Sequence, residues 1–99
     1  MNWLVTTEQE RSHGDPIQLS CEVLPEDIGG LVDIVFRLDQ EAERATGREL
    51  LLFSFTASRG PLTLHMDLAW PSALIHKYED AERCAVERME WTKYKGESL

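Results

Sequence analysis

Ser54, His65 and Asp67 are the residues whose types could combine a nucleophile, an imidazole base and an orienting carboxylate, the set that activates a hydroxyl for acyl transfer. His65 and Asp67 lie two apart in the alternating stretch Leu62-Thr63-Leu64-His65-Met66-Asp67-Leu68. Both therefore project from one face of a strand, with Cα atoms roughly 7 Å apart. Ser54 and Thr56 join them from the preceding apolar-rich segment, and Gln18, Ser20, Glu22 and Thr63 fall on the same face. A flat sheet offers neither oxyanion donors nor walls that exclude water, and the chain has no Gly-x-Ser-x-Gly elbow. The set reads as a polar solvent face. A catalytic or small-ligand site around His65 is the alternative.

Other chemistry is thinly supported. His-x-Asp occurs at His13/Asp15 and His65/Asp67, but structural zinc takes four ligands at Cys/His spacings, and neither Cys-x-x-Cys nor His-Glu-x-x-His is present. No metal and no cofactor is expected. Gly29-Gly30 matches no phosphate-loop spacing, and its preceding acids, Glu26 and Asp27, repel phosphate. His76 is expected on the outer face of a helix. Cys21 and Cys84 are far apart in sequence, and with no basic, apolar leader in the first eight residues they are expected to be reduced thiols of a cytoplasmic protein.

The elements that would position these residues follow from periodicity. Residues 2–8 read as a short strand, and Glu8 to Pro16 as a polar loop ending in Gly-Asp-Pro. Ile17, Leu19, Cys21 and Val23 alternate on one face of the clearest strand. Pro25-Glu26-Asp27 opens a helix, with proline in the first turn and acids where the dipole favours them. Its stripe is Ile28, Leu31, Val35, Leu38, Ala42 and Ala45, and Gly47 terminates it. Val32, Ile34, Phe36 and Leu38 also alternate as a strand would, but Asp39 to Ala45 is rich in helix formers, and helix is favoured. Glu49–Thr56 and Leu62–Leu68 form a hairpin around Ser58-Arg59-Gly60-Pro61. A second helix opens at Pro71-Ser72 and runs to about Tyr94, burying Leu74, Tyr78, Ala81, Ala85 and Met89. Trp70 reads as a plug at the sheet end. Phe36, about 130° from the centre of its stripe, and Trp91 project away from the core faces.

The expected fold is a single α+β domain over residues 1–99, ββαββα, with a four-stranded antiparallel sheet, two helices on one face and the other face open. Residues 1–47 and 48–94 have the outline of a pseudo-repeat, and 95–99 that of a flexible tail. A chain of this length buries enough surface for one core.

Net charge is −8, from 18 acids against 10 Lys and Arg. Residues 1–50 hold eleven acids and four bases, net −7, and residues 51–99 hold seven and six, net −1. Phosphate and anionic membrane surfaces repel such a chain, so neither nucleic acid nor membrane is an expected partner. Lys93, Tyr94 and Lys95 are the longest basic feature. A basic protein partner is favoured, steered by the acidic first half. The expectation is a non-enzymatic inhibitor that occludes a basic nuclease or nucleic-acid-binding site, of the immunity-protein, antitoxin or phage-encoded anti-CRISPR type. Its contact residues would be Glu26, Asp27, Asp33, Phe36, Asp39, Glu41 and Glu43. A self-associating module, pairing sheets in a homodimer, is a third reading.

Overall fold

The alternating and 3-4-spaced stretches resolve into β1 (Trp3–Gln9), β2 (Ile17–Val23), α1 (Pro25–Glu43), β3 (Leu51–Arg59), β4 (Leu62–Trp70) and α2 (Ser72–Ser98). The computed structural model describes residues 1–45 and 47–91 in full, and residues 92–98 only as the backbone course of α2. The tail expected over 95–99, and the side chains of Lys93, Tyr94 and Lys95, lie outside the fully described residues. The architecture is the expected one: a single α+β domain with a four-stranded antiparallel sheet, in the order β2-β1-β3-β4. Exchanging the two ββα halves leaves this order unchanged, with β1 and β3 paired at the centre and β2 and β4 at the margins.

Residues 32–38, which alternate like a strand, lie inside α1. The helix begins without a side-chain cap at Leu24, and Pro25 with the acids Glu26 and Asp27 starts it instead. Its buried residues are Asp27, Leu31, Val35, Leu38 and Ala42, so only one face of Val32–Leu38 needs cover. The β3–β4 connection is tighter than the four-residue turn expected. Arg59 pairs with Leu62, leaving Gly60-Pro61 as a two-residue turn. Gly60 has φ +58°, the sign required at the first position of a type II′ turn, and Pro61 supplies the negative φ that follows. The hairpin therefore runs longer than Glu49–Thr56 and Leu62–Leu68 suggested, with β3 reaching Arg59 and β4 reaching Trp70.

The core lies between the sheet and the helices. Val5, Val23, Phe53, Phe55, Ala57 and Trp70 from the strands meet Leu31, Val35, Leu38, Leu74, Tyr78 and Ala85 from the helices. Each large apolar side chain buried this way contributes about 1.5–3 kcal/mol. Phe53 is the hub. It stacks on Trp70 at 4.9 Å between centroids and meets Tyr78 edge-on at 5.0 Å, while Phe55 meets Tyr78 edge-on at 5.9 Å. Trp70 is the expected plug, and its indole Nε1 donates to Asp39 Oδ1 at 3.0 Å, tying β4 to α1.

Gly29 and Gly30 are helical, and a methyl group at either would meet no atom within 4 Å. Packing does not require them, and each lowers helix stability relative to alanine. Gly29→Ala and Gly30→Ala should each raise the unfolding free energy by about 0.5–1 kcal/mol, measured by urea denaturation; a loss of stability in both would contradict the open environment of that turn.

Candidate functional site

Three surfaces hold the residues with chemical potential: the open sheet face, the outer face of α1, and a groove between β2 and α2. On the open face, register places Thr56 opposite His65 and Ser54 opposite Asp67. The side chains meet despite the spacing of their Cα atoms. Thr56 Oγ1 lies 2.7 Å from His65 Nδ1, His65 Nε2 lies 3.0 Å from Asp67 Oδ1, and Ser54 Oγ donates to the same Asp67 oxygen at 3.0 Å. With the imidazole proton on Nε2, the order is hydroxyl, imidazole, carboxylate, and the hydroxyl against the ring belongs to Thr56 rather than Ser54. The His65 and Asp67 side chains are 52% and 75% exposed, so water screens this network. Thr6 and Ser20 extend the hydroxyl-rich surface, 3.3 Å apart.

The outer face of α1 carries four of the seven residues expected to contact a partner. Glu26, Asp33, Phe36 and Glu43 are exposed, Phe36 at 52%. Helical spacing places Arg37 and Arg44 on the same side, so the acidic field there is mixed. The other three acids have structural partners. Asp27 is buried and accepts from Arg88 Nη1 at 2.6 Å, binding α1 to α2; this takes it off the surface on which it was expected. Asp39 is held by Trp70. Glu41 pairs with Lys77 of α2 at 3.2 Å, an exposed bridge worth little on its own. Trp91 projects from α2, exposed as its spacing implied, and His76 is likewise outward.

Sequence reasoning missed Glu82. Ile75, Tyr78, Glu82, Ala85 and Met89 step by 3-4-3-4 and are all buried. The period marked position 82 as inward, but a carboxylate there was passed over for Ala81, which is only partly buried. Glu82 Oε1 accepts from Cys21 Sγ at 2.9 Å, tying α2 to β2. Burial pushes the Glu82 carboxyl above its ordinary range; the Cys21 bond opposes this in part, and Glu79 adds a weaker upward push. Burial and the Glu82 contact push the Cys21 thiol up from 9.0 to about 12. Tyr78 is raised as well, by burial and then by Glu82 and Cys21. The Cys21 sulfur is thus held as a thiol, the less nucleophilic form. Both cysteines are free.

Among the described residues no three His, Cys, Asp or Glu side chains gather as a metal site, and no helix is long and apolar enough to cross a membrane. No protein-family model, curated protein or solved structure matches the chain.

The buried cluster has two consequences for stability. Glu82 protonates more readily in the folded chain than in the unfolded one, so its ionisation opposes folding above the ordinary carboxyl range. Glu82→Gln, which keeps an acceptor for Cys21, should raise the melting temperature at pH 7, with the difference closing as pH falls towards about 4. At the other extreme, the unfolded thiol releases its proton from about pH 9 while the folded one holds it to about 12. Stability should fall across that window, and Cys21→Val should flatten part of the slope. Parallel pH profiles of the variant and parent would show that Cys21 is not responsible.

Proposed function

We propose that this protein is a small, non-enzymatic, cytoplasmic inhibitor that occludes a basic nuclease or nucleic-acid-binding surface on a partner protein, in the manner of immunity proteins, antitoxins or anti-CRISPR proteins. The observation that carries the reading is Phe36. It is a large aromatic left 52% exposed on the outer face of α1, with the exposed acids Asp33 and Glu43 on neighbouring turns and Glu26 at the start of the helix. Aromatic anchors surrounded by charge are the usual centres of protein interfaces, and the net charge of −8 favours rapid encounter with a basic surface. Glu41 and Asp39 add to the field from the flank of the helix, while Asp27 serves the fold.

The hydrogen-bonded order Thr56, His65, Asp67 supports a second reading, catalysis or small-ligand binding on the open sheet face. The two are separable. The protein should capture a basic nucleic-acid-binding protein from extract of its native host, less efficiently as salt is raised, and should suppress that protein's nuclease or nucleic-acid-binding activity. Phe36→Ala should weaken the purified complex by about 2 kcal/mol or more, and Asp33→Lys with Glu41→Lys should slow its formation. Unchanged binding by all of these, together with an activity that His65→Ala abolishes, would transfer the function to the sheet face.

A further inference from the structure

The helix-facing side of β2 is only half covered. Ile17 and Leu19 share that side with the buried Val23, yet they are 37% and 46% exposed. With Val86 of α2 they line a groove of about 580 Å³, and Glu79, Glu82, Glu87 and Glu90 line it against Arg83, the single base among the described lining residues. Four of the seven acids of the second half are thus concentrated on one side of one helix. Gln9 and Glu82, only 5% and 8% exposed, also line the groove, and the Gln9 amide nitrogen has no hydrogen-bond partner. A buried amide left so is costly, and a polar group entering the groove would recover that cost.

Beside the groove lies an unpaired strand edge. β2 is at the margin of the sheet, so its outer N–H and C=O groups lack a neighbouring strand. Between Ile17 and Val23 there is no lysine, arginine or proline to discourage pairing. At about 1.5 Å per residue the 27 residues of α2 span about 40 Å, against about 23 Å for the seven of β2. The helix outreaches the strand it covers.

We propose that the β2 edge and this groove bind an extended segment of a partner protein as a fifth strand, its helix-facing side chains alternating between apolar residues that cover Ile17, Leu19 and Val86 and lysines or arginines that meet the groove glutamates. A long cationic side chain suits the site, because its stem covers Ile17 and Leu19 while its head reaches Glu82. The Gln9 amide can present either donor or acceptor after a half-turn. A second copy of this chain is the poorer occupant, since pairing two β2 edges would bring two sets of groove glutamates together. This surface is separate from the outer face of α1 and stands without the inhibitor reading.

The probe is a labelled peptide Val-Ser-Lys-Ser-Val-Ser-Lys, with a control carrying glutamate for lysine, titrated against the full chain by fluorescence anisotropy and backbone NMR. The lysine peptide should bind at least about tenfold tighter than the control, a difference of about 1.4 kcal/mol, and should protect β2 amides from exchange. Leu19→Lys, and separately Glu79→Lys with Glu87→Lys, should each weaken it about tenfold with little change in melting temperature. Equal binding of the two peptides, no binding at millimolar concentration, or shifts confined to α1 or the open face would overturn the proposal. So would β2 amides protected in a concentration-dependent dimer without peptide, which would make the second copy the occupant.

Discussion

Covering one face of one sheet is the constraint on which the rest of this structure depends. The cover is centred on β3, where Phe53 touches both Trp70, at the end of β4, and Tyr78, in the second turn of α2. Trp70 in turn holds Asp39 of α1, so a single aromatic stack locates both helices. Each helix crosses the sheet from the strand it follows: α1 leaves after Val23 of β2 and packs against β4, and α2 leaves after Trp70 of β4 and reaches β2. Two helices so placed cover the centre of the sheet and one end of β2. Ile17 and Leu19 at its other end are left in the groove.

Acidic residues do two kinds of work in the molecule. Asp27, Asp39 and Glu82 each join two elements through one bond, to Arg88, Trp70 and Cys21 respectively. A buried carboxylate is costly unless it is bonded, and Glu82 expresses that cost as a raised pKa shared with its thiol neighbour. Of the remaining acids, those on the two helices differ in their surroundings. On α1 they are interspersed with Arg37 and Arg44, whereas on α2 they gather along the groove. The near-neutral half of the sequence therefore contains an acidic surface of its own, since net charge counted along the chain is blind to which side of a helix each residue occupies.

Much of the fold was legible because hydrophobic period is a local property. Ile17–Val23 alternates at period two, and Leu31, Val35, Leu38 and Ala42 recur at helical spacing; each reads correctly without its neighbours. The candidate sites were legible only in part. Phe36 and Trp91 were recognisable as off-stripe aromatics, and both are exposed. Asp27, expected at a partner surface, and Glu82, absent from the expected stripe, are both buried because helical spacing, and not residue type, sets which way they face.

The sequence by itself determined the element types, their order and the side of each strand that faces the helices, because these depend on residues a few positions apart. Only the tertiary structure decided which of those inward sides is actually covered, which acids are spent on ties between elements, and that Thr56 rather than Ser54 meets His65. Those outcomes depend on strand register and on where a helix crosses a sheet. Both are set by contacts between residues far apart in the chain: Cys21 and Glu82, and Asp27 and Arg88, are each separated by 61 positions. No periodicity within one element carries that information.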